Sequence, residues 1–223
     1  MTIHPPQVVK PSQVLCWAAK WVGEPDVEFR GLKGDGRKRM MRRLWKLMDE
    51  ADVILHYNGQ RFDIPHIQRE FLELGMLPPS PFKNIDLYKT AKRQFRFDSN
   101  KLDQVAKQVG VGRKEEHEGF RLWLRCLDGE ASAWDRMRRY NAQDVRLTEK
   151  LYGILRPWIV THPSHAAFTG DRVCPKCGSE QIQRRGVATL ATGRYARLHC
   201  KACGAWSRDT KRLASTTVTQ IAA

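Results

Sequence analysis

The chain has 223 residues, which is enough for one good core and a small accessory module. Its 39 lysines and arginines exceed its 24 acidic residues, so the formal net charge is 39 − 24 = +15. This excess favours a polyanionic partner such as nucleic acid, although a solvated basic surface is the alternative. No apolar run has the length of a membrane span. The N-terminus lacks a signal-peptide pattern, so we expect a cytoplasmic protein with no membrane partner.

The first third of the chain predicts strands and amphipathic helices in alternation. The segments are a strand over 14–22, a return strand starting over 27–29, a helix over 37–50, a buried strand over 51–57, and a helix from Pro65 to Gly75. The spacing of the first helix puts one apolar face inward, made of Met40, Met41, Leu44, Leu47 and Met48. The run ADVILHY is short and apolar, which is typical of a strand buried in a sheet.

The rest of the chain predicts helices and then a change of composition. A loop over 76–84 precedes helices over 86–95, from Ser99 or Asn100 to Gly110, over 119–128 and over 131–155. Strands followed by many helices predict an α/β layered domain. The expected organisation is a domain over 1–159, a linker over 160–170, a metal-binding β module over 171–208 and a disordered tail over 209–223.

Two C-x-x-C pairs near the C-terminus predict a zinc ribbon. The four residues are Cys174, Cys177, Cys200 and Cys203, with 22 residues between the pairs. Each pair can point two thiolates at one ion, and Gly178 and Gly204 allow the turn to close with positive φ. Four thiolates make a closed, structural Zn²⁺ site with no open position for catalysis. A redox dithiol is the alternative for one pair, but two pairs in register favour zinc.

The spacer between the pairs has the length of a β-hairpin and is rich in basic residues. It contains Arg184, Arg185, Arg194, Arg197 and Tyr195. Arginines suit phosphate contacts, and a tyrosine suits stacking on bases. These five residues are therefore candidates for substrate binding, with a solvated basic face as the alternative.

Candidate catalytic carboxylates occur at two separate places. Asp63 follows the predicted strand 51–57 in the segment HYNGQRFDIP, and loops at the carboxyl ends of strands are where α/β folds place ligands. Tyr140 and Asp144 are four residues apart on a predicted helix, so they share one face. That face is apolar, and a buried acid there is costly unless it is paired or bound to metal. An aspartate at the edge of the stripe that reaches solvent or an arginine is the alternative.

Together these segments resemble the DEDD, or DnaQ-like, superfamily of 3′–5′ exonucleases, which have a ribonuclease H-like fold. They are most similar to stand-alone phage or bacterial members with a C-terminal zinc ribbon. The N-x-x-x-F-D motif matches Asn58, Phe62 and Asp63, and the Y-x-x-x-D motif matches Tyr140 and Asp144. The resemblance covers about residues 10–208. It implies a mixed sheet with flanking helices, and a phage-encoded protein would act in the host cytoplasm.

The resemblance also implies metal-assisted hydrolysis, with four carboxylates holding two Mg²⁺ or Mn²⁺ ions. Asp63 and Asp144 would be ligands, Tyr140 would orient the attacking water, and Asn58 and Phe62 would approach the terminal nucleotide. The family's first motif, D-x-E on an opening apolar strand, is not found. One literal match, Asp26-Val-Glu28, follows a turn and is not expected to be the metal site. We therefore expect the first strand to lie before Met1.

Two functions remain open at this point. The first is an exonuclease acting on single-stranded DNA or RNA ends in replication or repair, with catalysis impaired by the missing motif. The second is a non-catalytic nucleic-acid-binding protein with the same fold and ribbon. The expected partners are single-stranded nucleic acid and either a polymerase or a polypeptide that supplies the missing strand.

Overall fold

The computed structural model describes residues 13–114, 118–170 and 172–215. Its contacts divide the chain into two compact units, one over Met1–Leu151 and one over Tyr152–Ala223. The first unit is a mixture of strands and helices, and the second contains the four paired cysteines. The fold is therefore α/β, as the sequence predicts, with a small C-terminal β module. No described helix has both the length and the apolar composition that crossing a membrane requires.

The first unit contains four short strands and most of the helices. The strands are β1 (Cys16–Ala19), β2 (Glu28–Gly31), β3 (Val53–His56) and β4 (Lys83–Asp86). The helices are α1 (Leu32–Asp35), α2 (Arg37–Glu50), α3 (Asp63–Glu73), α4 (Leu87–Gln94), α5 (Leu102–Gln108), α6 (Phe120–Leu127) and α7 (Ala131–Leu155), which runs into the second unit. β1 pairs with β2 in antiparallel register, and β3 pairs with β4 in parallel register.

Helices cover both faces of β1. Trp17 and Ala19 pack on one cluster that contains Met40, Met41 and Phe71 of α2 and α3. Cys16 packs on another cluster, formed by α6 and α7 around Leu122 and Met137. Successive residues of a strand point to opposite faces, so β1 lies between two helical layers. The apolar spacing of α2 and α7 in the sequence accounts for these layers.

The second unit is a three-stranded antiparallel sheet after two short helical segments. A 3₁₀ turn covers Arg156–Trp158, and α8 covers His165–Thr169. The sheet has the order β5 (Ile182–Leu190), β6 (Gly193–Cys200) and β7 (Trp206–Ser215). β5 and β6 form the expected hairpin between the two cysteine pairs, with a register shift between Arg184 and Val187.

Three local predictions were wrong. The loop expected over 76–84 contains the start of β4, which was missed because its pairing partner is 30 residues away and only its last two residues are buried. The strand expected to be buried, β3, is only half-buried at all four positions. The tail expected from Asp209 is ordered to Ser215, since β7 pairs with the edge of β6 through backbone hydrogen bonds rather than side-chain burial. Residues 216–223 lie outside the described residues.

Candidate functional site

The candidate catalytic residues meet at one large cavity in the first unit. This cavity has a volume of about 2380 Å³ and is lined by β1, by β3 and by residues of the surrounding helices. Its wall includes all five residues of the two motifs, namely Asn58, Phe62, Asp63, Tyr140 and Asp144. Asp63 and Asp144, which are 81 positions apart in the sequence, thus line one space, which is the arrangement that a catalytic site built from two motifs requires.

The loop after β3 is held in a defined shape by hydrogen bonds. Asn58 has a φ of 63°, and it is the one described residue other than glycine with positive φ. Asparagine tolerates this left-handed conformation better than most residues. The Asn58 N–H donates to Asp86 Oδ1 at 2.9 Å, and the Gly59 N–H donates to His56 Nδ1 at 3.1 Å. Asp86, at the carboxyl end of β4, is a positioning residue that the sequence analysis did not single out.

Asp63 is the first residue of α3, where a negative charge interacts favourably with the helix dipole. Its side chain reaches the solvent of the cavity. Even so, partial burial of the carboxylate raises its pKa above the usual range, against the opposing charge of His56. Phe62 is 62% exposed and makes an edge contact with the His66 ring at 5.0 Å between centroids. An exposed aromatic ring next to a carboxylate can contact a nucleotide base.

Tyr140 and Asp144 lie on one face of α7, as their spacing predicts, and both contact Lys114. Lys114 Nζ lies 2.5 Å from Asp144 Oδ2 and 3.3 Å from the Tyr140 hydroxyl. Burial alone would lower the pKa of Lys114, but its hydrogen bond to Asp144 and the charge of that carboxylate outweigh burial and raise it. Burial raises the pKa of Tyr140, and the charge of Asp144 adds to the effect. The alternative expected from the sequence, in which Asp144 pairs with a cation, is thus observed, with Lys114 in place of an arginine.

The oxygen atoms around the cavity fit a hard divalent cation only in part. Asp144 Oδ1, in the cavity wall, is buried and has no hydrogen-bond partner among the described residues, and carboxylate oxygens are the ligands that Mg²⁺ prefers. Asp86 Oδ2 is also buried without a partner among those residues, but Asp86 does not line the cavity. However, among the described residues the cysteines form the one group of three or more ligating side chains that converge on a point. Glu28, in the segment Asp26-Val-Glu28, makes a bidentate ion pair with Arg43, with N–O distances of 2.7–3.1 Å.

A second, basic cavity lies beside the first and shares Lys114 with it. It has a volume of about 620 Å³. Five of its nine lining residues are cationic: Arg113, Lys114, Arg138, Arg139 and Arg146. Such a concentration of positive charge in a concave surface is suited to phosphate groups. These five cationic residues could not be grouped from the sequence, because they come from a loop and from the outer face of α7 and only folding brings them together.

The four cysteines lie close enough together to hold one metal ion. Their sulfur atoms all lie within 4.8 Å of one another, and the pairs Cys174–Cys203 and Cys177–Cys200 are each separated by 3.7 Å. Zinc–sulfur bonds of about 2.3 Å in a tetrahedron put the sulfur atoms about 3.8 Å apart, so the geometry is consistent with a small zinc-binding module. The site lies entirely within the second unit.

The two cysteine turns have the same backbone structure. Gly178 N–H donates to the Cys174 carbonyl at 2.9 Å, and Gly204 N–H donates to the Cys200 carbonyl at 3.0 Å. The φ values of the two glycines are 73° and 76°, which confirms the expected positive φ. Although burial opposes ionisation of Cys200, hydrogen bonds from the backbone N–H groups of residues 203 and 202 help to lower its pKa to about 7. A thiol that ionises readily is a good metal ligand.

The basic residues of the hairpin are exposed, but the tyrosine is not. Arg184, Arg185, Arg194 and Arg197 all reach solvent along β5 and β6. Tyr195 is only 5% exposed, its hydroxyl accepts from Arg212 Nε at 3.1 Å, and Arg208 covers its ring at 4.6 Å. The expectation that Tyr195 stacks on bases was therefore wrong, because its ring is buried beneath the Arg208 side chain.

Comparison with known proteins assigns the first unit to a superfamily. Residues 19–156 match the family model of the RNase H superfamily. This match covers more than half of the chain, and the protein belongs to the RNase H superfamily. A region of the chain is also 29% identical over 132 residues to DNA polymerase 1 of Aeropyrum pernix. That alignment covers 52% of this chain and 14% of the polymerase, so the chain spans a small part of the relative's length.

Proposed function

We propose that this protein is a metal-dependent nuclease of the DEDD 3′–5′ exonuclease type that acts on the ends of single-stranded nucleic acid. One observation carries the proposal: Asn58, Phe62 and Asp63 line the same cavity as Tyr140 and Asp144. Membership of the RNase H superfamily supports nuclease chemistry. It also supports a metal requirement, because RNase H-like nucleases use divalent metal ions. The similarity to a DNA polymerase favours DNA as the substrate and replication or repair as the setting.

In this proposal each residue has a separate task. Asp63 and Asp144 would hold Mg²⁺ or Mn²⁺, and the bound ion would supply an activated water and stabilise the leaving oxygen. Tyr140 would orient that water through its hydroxyl, and Phe62 would contact the terminal base. Asn58, fixed by Asp86, would present its amide to the sugar or phosphate of the last nucleotide.

The basic cavity would hold the phosphates that follow the terminal nucleotide. Lys114 contacts Asp144 and also lines the basic cavity. A strand whose backbone lies along Arg113 and Arg146 would therefore arrive next to the proposed catalytic carboxylates. In the second unit, we propose that the cysteines bind zinc and that the exposed arginines of the hairpin add further phosphate contacts.

The test is cleavage of a 5′-labelled single strand by the full chain with Mn²⁺. Shortening of the strand from its 3′ end, abolished in Asp144→Asn and in Asp63→Asn, is the expected result. Asp135→Asn is the matched control, because Asp135 is on the same helix but is exposed and pairs with Arg138. Cleavage that persists in both active-site variants would show that a contaminating nuclease or another site is responsible.

A second candidate function is nucleic-acid binding without cleavage, and one contact favours it. The ammonium of Lys114 lies on Asp144 Oδ2, where a metal ion would otherwise bind. The described residues also provide no convergent set of three or more carboxylates. Under this candidate, single strands bind with an affinity that falls steeply with salt, and neither Mn²⁺ nor Mg²⁺ produces shortened products.

A further inference from the structure

The three-stranded sheet of the second unit has one face turned toward the cysteines. Cys200 of β6 is buried in a cluster with Cys174 and Ala205, and Ile182 of β5 packs against that cluster. Cys200 and Ile182 are directly opposite each other in the sheet, so their side chains lie on the same face. Successive side chains of a strand point to opposite faces. The residue before Cys200 therefore lies on the other face of the sheet.

An aromatic pair lies on this other face. His199 of β6 is directly opposite Trp206 of β7, and the centroids of the two rings are 4.6 Å apart. The Trp206 side chain is 52% exposed, although an indole is among the largest apolar groups that a protein can bury. Tyr195 of β6 is only 5% exposed, and Arg208 covers its ring. Of these two large rings, Trp206 is therefore the one that a ligand can reach.

Two arginines flank the aromatic pair. Arg197 and Arg208 are directly opposite each other on β6 and β7. Each is two residues away from a member of the aromatic pair, so the four side chains share one face, which we call the Trp206 face. The Arg197 guanidinium lies 5.3 Å from the centre of the Trp206 ring. Because its Nε donates to the Arg185 carbonyl at 3.0 Å, Arg197 is held beside the exposed ring.

The sheet carries a large excess of positive charge. Residues 182–215 contain eight lysines and arginines but one acidic residue, Asp209. Asp209 forms an ion pair at 3.5 Å with Arg172, which precedes the sheet. The carboxylates within this segment therefore do not neutralise the arginines around Trp206. A surface of this charge attracts a polyanion and releases the counterions that the polyanion carries.

The combination of an exposed indole and guanidinium groups selects among polyanions. The bases of a single strand can leave their stack and pack against an aromatic side chain, while the phosphates contact arginines. In a double helix the bases remain stacked on one another, so that mainly the phosphates and groove edges are accessible. An acidic segment of a protein would match the charge, but a run of carboxylates has no planar ring to pack on the indole.

We propose that Trp206 is a base-stacking residue for single-stranded nucleic acid and that Arg197 and Arg208 contact the phosphates next to the stacked nucleotide. His199 supports the indole through the ring contact on the same face. This role is the one that the sequence assigned to Tyr195. The proposal rests on the proposed function only for the nature of the ligand, because stacking on Trp206 does not require cleavage.

The test measures binding of a fluorescein-labelled strand of about 12 thymidines to the full chain by fluorescence anisotropy. The protein is supplied with Zn²⁺ but not with Mg²⁺ or Mn²⁺. Trp206→Ala is expected to weaken binding by about fivefold or more, whereas Trp206→Phe, which keeps an aromatic ring, stays within about twofold of wild type. Phe168→Ala is the matched control, because Phe168 is an aromatic residue of the same unit that is 61% exposed. It is expected to leave binding unchanged.

Two further measurements separate stacking from charge. An abasic strand of the same length keeps the phosphates but lacks the bases, so wild type and Trp206→Ala are expected to bind it equally. Arg197→Gln is expected to reduce the slope of log affinity against log salt by about 0.7, whereas Trp206→Ala leaves that slope unchanged. Equal zinc content and equal circular dichroism show that each variant is folded.

Three results would overturn the proposal. The first is unchanged affinity of Trp206→Ala for the thymidine strand. The second is an equal loss of affinity for the abasic strand, which would show that the base plays no part. The third is Trp206-dependent binding of a polyglutamate peptide as tight as that of the thymidine strand, which would assign the Trp206 face to acidic proteins.

These results are distinguishable from a failure of the proposed function. A chain that shortens a strand in the presence of Mn²⁺ but binds it independently of Trp206 would contradict the stacking site alone. A chain whose binding depends on Trp206 but that never shortens a strand would contradict the proposed nuclease activity alone.

Discussion

Replacing Glu70 by glutamine tests how the cavity wall is held in place. Glu70 is fully buried on α3. Its Oε1 accepts the N–H of Val14 at 2.9 Å, immediately before β1, and its Oε2 pairs with Arg37 Nε at 2.6 Å. One carboxylate thus joins α3, the start of β1 and the first turn of α2. Glu70→Gln keeps the size of the side chain but removes the charge from both interactions.

The expected cost follows from these two contacts. A hydrogen bond to a charged group contributes about 1.5–3 kcal/mol, and the bond to Val14 weakens to that of a neutral acceptor. Arg37 is 35% exposed and also pairs with Glu73, so it is not left as an isolated buried charge. We expect a loss of about 3 kcal/mol, which is a fall of roughly 6–12 °C in Tm for a domain of this size.

Urea unfolding followed by circular dichroism measures this loss, with Glu73→Gln as the matched control. Glu73 pairs with the same arginine but is 38% exposed, so its replacement is expected to cost less than about 1 kcal/mol. Equal losses in the two variants would refute the reasoning, because they would show that the burial of Glu70 contributes nothing beyond a surface ion pair.

Three further predictions concern the candidate sites. The pKa of Asp63 is raised in the folded protein. Its contribution to stability is therefore fully present below the unfolded-state pKa of about 3.9 and is lost as pH rises through the folded pKa. Asp63→Asn should gain stability relative to wild type between pH 4 and pH 7, and a constant difference in the free energy of unfolding between the two proteins would contradict this. The double replacement of Arg113 and Arg146 by glutamine should reduce the slope of log affinity against log salt for a single strand by about 1.4, while Lys150→Gln, an exposed change on α7, should leave the slope unchanged within error. Cys200→Ser should abolish bound zinc and unfold the β module while helical circular dichroism is retained; unchanged zinc content, measured by atomic absorption, would refute the four-thiolate site.

Much of the local structure follows from short sequence patterns. The helix over 37–50 and the long helix over 131–155 have the predicted bounds, because an apolar face repeated over several turns is a strong local signal. β4 was missed since a four-residue strand is stabilised by a distant partner, β3, rather than by its own composition. The burial of Glu70 was also not predicted, since its partners lie 33 and 56 residues away.

The candidate sites likewise differ in how much of each could be predicted from the sequence. The two cysteine turns could be read from the sequence because each is closed by residues within five positions of one another, and the thiolates need no other partner. The motif residues Asp63 and Asp144 could be named from the sequence, but the salt bridge from Lys114 to Asp144 could not. Nor could the basic cavity, which depends on side chains that meet only after folding. The sequence by itself therefore determined most of the local elements and the pairing of the four cysteines in two turns, whereas the tertiary structure alone decided which distant groups share a cavity.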